Sequence, residues 1–303
     1  SNSNCGLYLS SSNNNTLINI IANSNYDFGL YLSSSNYNTL INITANSNGL
    51  YGLYLSSSNY NILTNITANS NGLAGLEFQY SSSNNLTNIT ANSNGESGLS
   101  FYDSNSNTIK NSKFQGNTKY GIHLNSAPNN LIYNNFFNNT NNFYFEGTIY
   151  TNYWNTTKQT GTNIWNSSLG YIGGNFWTNP SGTGYSDTCA DADYDGFCDD
   201  PYTLASNNLD YLPIAKAIGQ GVITACSQIT RLGKYVLAND IIDSSASICI
   251  DIQANSVVLD CQGHIIDGVD TSDTYGIRVY RSSSTTTNII IKNCVLTDWY
   301  YGI

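Results

Sequence analysis

The chain has 303 residues, a formal net charge of −10, 10% charged side chains and no methionine. It contains no run of about 18 apolar residues, so no segment reads as a membrane-spanning helix, and it has no basic stripe of the kind that binds nucleic acid. Low charge with abundant Asn, Ser and Gly suits disorder, but a fixed repeat argues against it.

Gly6, Gly29, Gly52, Gly75, Gly98 and Gly121 stand 23 residues apart without insertion or deletion. A period in this range is the mark of a solenoid. After each glycine come Leu7, Leu30, Leu53, Leu76, Leu99 and Ile122, and two positions later Leu9, Leu32, Leu55, Phe78, Phe101 and Leu124. The column between them varies: Tyr8, Tyr31, Tyr54, Glu77, Ser100, His123. That alternation is a strand with one buried face. A second apolar column runs Leu17, Leu40, Leu63, Leu86, Ile109, Ile132.

Further along each unit, Ile20, Ile43, Ile66 and Ile89 accompany Ala22, Ala45, Ala68 and Ala91, whereas Ser112 and Asn135 accompany Phe114 and Phe137. Large and small side chains exchange within one coil, which fits a shared core volume on a third short strand. The predicted fold is therefore all-β: a parallel β-helix of 23-residue coils, right-handed like other parallel crossovers, rising about 4.8 Å per coil. Asn columns beginning at Asn15 and Asn19 mark the corners. Asn tolerates left-handed backbone there, and stacked amides can form ladders. The second column, including Asn42, Asn65 and Asn88, is expected to be inward.

The coils occupy 1–146, with a cap over 147–215. In the cap, aromatic clusters around Trp154, Trp165 and Trp177 are expected to cover the exposed end of the solenoid; the alternative for them is a sugar-binding platform. Asp191-Ala192-Asp193-Tyr194-Asp195-Gly196-Phe197-Cys198-Asp199 follows, a D-x-D-x-D-G calcium pattern. Asp191, Asp193, Asp195, Asp199 and the Phe197 carbonyl are the expected Ca2+ ligands, because crowded carboxylates repel without a cation. The acidic residue that ends an EF-hand loop is missing, since Tyr202 stands there; Asp187 or Asp200 is a candidate replacement.

The sequence Gly173-Gly174-Asn175-Phe176-Trp177, the aspartate loop, Pro201-Tyr202 and Asp210-Tyr211-Leu212-Pro213 together resemble the end of NosD-type right-handed β-helix domains. The resemblance implies a β-helix fold and a surface or periplasmic location. The family's association with copper-enzyme maturation does not carry over on residues: methionine is absent, the two histidines are far apart in sequence, and no copper-type cluster is visible.

Residues 216–303 read as the first coils of a second β-helix. Ser1 falls within a coil and Gly302-Ile303 opens another, so the chain is expected to continue in both directions. Seven cysteines without a paired zinc spacing favour an oxidising, extracellular setting. The expected disulfides are Cys189–Cys198, Cys226–Cys249 and Cys261–Cys294, with Cys5 left over. Of eight sequons, Asn14, Asn85, Asn138, Asn155 and Asn166 are the glycosylation candidates.

Glu77, Asp103 and Glu146 appear isolated in the sequence, and His123 appears alone in its outward column. The expectation is thus a non-enzymatic extracellular structural protein, a tandem β-helix rod of a cell-surface layer, filament or adhesin. It would assemble with copies of itself through the outward row Tyr8, Tyr31 and Tyr54. The alternative is a carbohydrate-binding or carbohydrate-active β-helix module, with a surface polysaccharide as partner.

Overall fold

The computed structural model describes residues 4–192, 195–216, 220–231, 233–280 and 285–303. It divides into two units, Ser1–Cys189 with Asp200–Lys216, and Ala190–Asp199 with Ala217–Ile303.

The first unit is a parallel β-helix. One seven-stranded sheet is formed in order by Cys5–Ser10, Phe28–Ser33, Tyr51–Ser56, Leu76–Gln79, Ser97–Tyr102, Tyr120–Asn125 and Phe143–Glu146. Each strand pairs in parallel with its copy one coil on: Leu30 faces Leu53, and Leu53 faces Leu76. The second sheet carries Thr16–Ile18, Thr39–Thr44, Ile62–Thr67, Asn85–Thr90, Lys113–Gln115, Phe136–Asn138 and Phe176–Thr178. The Leu, Ile, Phe and Ala columns between the sheets form one continuous core.

The repeated glycine is fixed by space. A Cβ on Gly52 would lie 2.6 Å from the Gly75 carbonyl oxygen and 2.8 Å from Ala68 Cβ. Successive coils approach too closely there for any side chain.

Two sequence expectations need correction. Thr39–Thr44, Ile62–Thr67 and Asn85–Thr90 each run as a single strand where two were expected. Asn42, Asn65 and Asn88 sit within them at φ of 55°, 56° and 57°. A left-handed residue there resets the alternation, so Leu40 and Ile43 both point inward although three positions apart. The two strands separate again at Thr108–Lys110 and Lys113–Gln115.

The same three asparagines are exposed. They form an outer ladder, in which Asn65 Nδ2 donates to Asn42 Oδ1 at 3.0 Å. The internal ladder is the other column. Asn61 Oδ1 accepts from Asn38 N at 2.8 Å, and Asn61 Nδ2 donates to Asn84 Oδ1 at 3.1 Å. A second buried ladder joins Asn25, Asn48, Asn71, Asn94, Asn117 and Asn139, and a serine ladder runs through Ser35, Ser58, Ser81 and Ser104. These side chains replace backbone hydrogen bonds at the corners, where the chain leaves the sheets.

At the end of this core Trp154 and Trp177 are buried, and the Trp177 ring stacks on Phe137 at 4.5 Å. Asp210 accepts from Trp177 Nε1 at 2.9 Å and from Asn175 N at 2.8 Å. Burial pushes its carboxyl up to about 7, against these N–H donors, which favour the charged form.

The second unit repeats the architecture with coils of uneven length: Ser227 pairs with Ile250, Ile250 with Ile277 and Leu259 with Ile291. Gln220–Ile223, Gly233–Leu237, Val257–Asp260 and Ile290–Lys292 form one parallel sheet; Ser227–Ile229, Ile248–Ile252 and Tyr275–Val279 form another. Disulfides join Cys226 to Cys249 and Cys261 to Cys294. Cys189 and Cys198 are each disulfide-bonded and Cys5 is free.

Candidate functional site

The site lies on the outer face of the first sheet, where the outward column departs from tyrosine. Strand register aligns Tyr54 with Glu77, Glu77 with Ser100, Ser100 with His123 and His123 with Tyr144. Glu77 and His123 flank Ser100, about 9–10 Å apart between Cα atoms at two strand spacings. Between them stands Ser100, shaded by its neighbours to 7% exposure; Ser97, aligned with Tyr120, is 3% exposed. This strip of the outer face, with the covered Ser100 at its base, is the trough between the two aromatic groups.

Aromatic rings wall the trough on both sides. Toward the start of the chain, Tyr31 and Tyr54 stack at 4.9 Å, and Tyr51 lies 5.4 Å from Tyr54. The Tyr54 hydroxyl donates to Gln79 Oε1. On the other side Tyr120 stacks on Tyr144 at 4.5 Å, and the His123 ring lies 5.7 and 5.4 Å from them. At the rim Lys119 is paired with Glu96.

Both titratable groups in the trough are shifted toward neutrality. Burial pushes the Glu77 carboxyl up to about 7; the Ser100 hydroxyl opposes this and the Glu96 charge adds to it. Burial lowers the His123 imidazole, although Glu146 opposes the shift. His123 Nε2 lies 2.9 Å from Glu146 Oε2, and it is this carboxylate that opposes the shift. A carboxyl raised toward neutrality and an imidazole lowered by burial, two strands apart, are the kinds of group that general acid–base chemistry uses near pH 7.

His123 and Glu77 are therefore not isolated, and the premise for a chain without catalytic groups is removed. The sequence column contained the signal: it reads Tyr, Tyr, Tyr and then Glu, Ser, His. The Tyr8, Tyr31 and Tyr54 row is real, with ring distances of 4.9 Å at both steps, and Tyr54 forms part of the trough wall.

In the aspartate loop, Asp191 Oδ1 accepts from Asp195 N at 3.0 Å and Oδ2 from Gly196 N at 3.1 Å. Asp195 Oδ1 accepts from Phe197 N at 2.9 Å, and Asp199 Oδ2 from Ala192 N at 3.0 Å. Gly196 has φ 85°, which suits glycine. Asp193 lies outside the described residues. Asp187 is committed elsewhere: it pairs with Lys216 at 2.7 Å and accepts from Gly184 N at 2.8 Å.

Among the sequons, Asn14 and Asn85 are exposed, while Asn138, Asn155 and Asn166 are half-buried. Trp165 stacks on Phe176 at 4.1 Å and overhangs a hollow of about 360 Å³ with Asn88, Asn111 and Asn134 on its wall. That hollow holds no acid–base pair.

The sequence model of the family described as "Periplasmic copper-binding protein (NosD)" matches residues 1–182. No curated protein matches the chain. Among solved structures, the periplasmic alginate epimerase AlgG is similar at 10% identity and a TM-score of 0.43, over 96% of this chain and 47% of that one. The Azotobacter vinelandii mannuronan C-5 epimerase AlgE6 A-module is similar at 14% identity and 0.41, over 94% and 58%. The catalytic domain of a GH87 α-1,3-glucanase is similar at 14% and 0.36, over 95% and 46%. This chain thus spans about half the length of each. Likeness at this level transfers no chemistry.

The family's description is that of a binding protein and not of a layer, filament or adhesin. With Glu77 and His123 brought to one trough, the expectation of a non-enzymatic structural rod is overturned. The family's periplasmic description agrees with a setting outside the cytoplasm. No helix among the described residues is long and apolar enough to cross a membrane.

Copper prefers imidazole and sulfur ligands. The chain has no methionine and two histidines, His123 in the first unit and His264 in the second. Among the described residues no three His, Cys, Asp or Glu side chains converge to hold a metal. The donor set of the described residues does not fit a copper ion.

Proposed function

We propose that this chain, which belongs to the NosD family of parallel β-helix proteins, is a carbohydrate-active module that binds a cell-envelope or extracellular polysaccharide across the outer face of its first sheet and exchanges protons with it. One observation carries the reading: Glu77 and His123 flank Ser100 in one column, between two walls of tyrosine. Tyrosine rings offer flat apolar faces with a polar edge, suited to the C–H faces of a sugar ring and its hydroxyls. The neutral carboxyl donates a proton and the neutral imidazole accepts one.

The test is affinity electrophoresis against a panel of soluble polysaccharides, followed by product analysis. Tyr54→Ala and Tyr144→Ala should weaken retardation, and Glu77→Gln should lower turnover by about 10²–10⁴-fold with binding kept. No retardation by any polysaccharide, in a protein that melts cooperatively, rules the reading out.

We also infer that the aspartate loop takes Ca2+. The alternate spacing of Asp191, Asp193 and Asp195 in the sequence supports it, with Gly196 at the turn and Asp191 buried.

A further inference from the structure

The charges around the trough bear on what kind of glycan it takes. The carboxyl groups of Glu77, Glu96 and Glu146 surround it. Its one lysine, Lys119, is paired with Glu96. Burial keeps His123 neutral against the Glu146 charge. No arginine precedes Arg231, and Lys110 and Lys113 belong to strands of the other sheet.

A uronate or sulfated sugar brought over Ser100 would place its anion among the Glu96 and Glu146 carboxylates, with no unpaired lysine or arginine among the described residues of the face. Like charges in a partly dry site repel strongly, and a desolvated anion without a partner is costly. A neutral sugar meets no such penalty. Its hydroxyls can donate to the Glu96 and Glu146 carboxylates and to Ser100, and its C–H face can lie on Tyr54 or Tyr144.

We infer that the glycan crossing Ser100 is uncharged, and that its glycosidic bond is broken by water. This deepens the proposed function and rests on it. Elimination needs a proton made acidic by a neighbouring carboxylate, and a neutral hexose has none. In the hydrolytic step the Glu77 carboxyl gives its proton to the bridging oxygen as the bond from that oxygen to the anomeric carbon breaks. The bonding electron pair stays on the oxygen, which leaves as an alcohol. A water oxygen bonds to the anomeric carbon and its proton passes to His123. Exchange with solvent then moves a proton from His123 back to Glu77, and the net change is one bond hydrolysed by one water.

The experiment incubates the whole chain with neutral glucans and mannans in one arm and with alginate and polygalacturonate in the other. It reads retardation, new reducing ends and the ultraviolet absorbance of unsaturated products. The expected result is retardation and reducing ends with neutral glycans alone, without unsaturated product. Glu77→Gln should lower the rate by about 10²–10⁴-fold while retardation persists. Polyuronate binding of any kind, or unsaturated product that is lost in Glu77→Gln, overturns the neutral-glycan inference and leaves the proposed function standing. Retardation by neutral glycans without new reducing ends overturns the hydrolytic step. Silence in both arms overturns the proposed function and the inference with it.

Discussion

Glu77 and His123 share one outward column of a parallel sheet, with the almost fully buried Ser100 between them. Glu146, which contacts His123 at 2.9 Å, opposes the downward push of burial on the imidazole. Replacing Glu146→Gln removes that opposing charge, so the His123 pKa should fall further. With two histidines in the chain, an NMR titration resolves them. His123 should titrate below the usual histidine range in the native protein and lower still in Glu146→Gln. A His123 that titrates above about 6.5 contradicts the buried, neutral imidazole.

Stability should depend on pH through Glu77. Its folded pKa is raised from 4.5 to about 7, so the native state holds a proton that the unfolded chain releases. The stabilisation is full below about 4.5, falls as pH rises toward 7 and is gone above. The change amounts to at most about 3 kcal/mol. Asp210, raised to about 7 by burial, acts in the same direction, whereas His123 acts oppositely below its unfolded pKa. The comparison of native protein with Glu77→Gln isolates the first. Chemical denaturation at pH 5 and pH 8 should show a smaller difference in the variant; equal differences count against the buried carboxyl.

The two asparagine columns should respond differently to charge. In Asn61→Asp the replaced Nδ2 leaves an oxygen facing the Ser35 carbonyl at 3.1 Å and Asn84 Oδ1 at 3.1 Å. Acceptor then faces acceptor in a buried site, at a cost of about 3 kcal/mol or more. Asn65→Asp loses one exposed amide contact to Asn42 and keeps a residue type that tolerates left-handed backbone, so about 1 kcal/mol or less is expected. Thermal melting of the two variants checks the order.

The glycine column should tolerate no side chain. In Gly75→Ala the new Cβ would meet Ala91 Cβ at 2.7 Å and the Gly98 carbonyl oxygen at 2.7 Å. Backbone must shift, at about 1–3 kcal/mol. Gly263→Ala has open space around its Cβ but a φ of 89°, so its cost is conformational and smaller, about 1 kcal/mol. Denaturant midpoints of the two variants separate crowding from backbone strain.

If the aspartate loop takes calcium, chelation should lower the melting temperature, since a ligand bound only by the folded chain stabilises it. Asp195→Asn should abolish the difference between chelated and calcium-loaded protein. Identical melting with and without chelator sinks the calcium reading.

The repeat carried most of the fold openly. Leu30, Leu53 and Leu76 alternate and recur at a fixed interval, and only stacked strands satisfy both periods. The left-handed Asn42 was harder to place, because an Asn at a corner and an Asn within a bent strand look alike in sequence. Column alignment already put Glu77, Ser100 and His123 in one row. What it lacked was the shading of Ser100 by its neighbours, which turns a row of variable residues into a trough.

The sequence by itself determined the parallel β-helix, its 23-residue register and the rows that its side chains would form, because each coil must bury the same face against the next. Only the tertiary structure decided which of two asparagine ladders is buried, and that Glu77 and His123 are held near neutrality. Both depend on solvent exclusion, which is set by what packs over a residue and not by the residue's own place in the repeat.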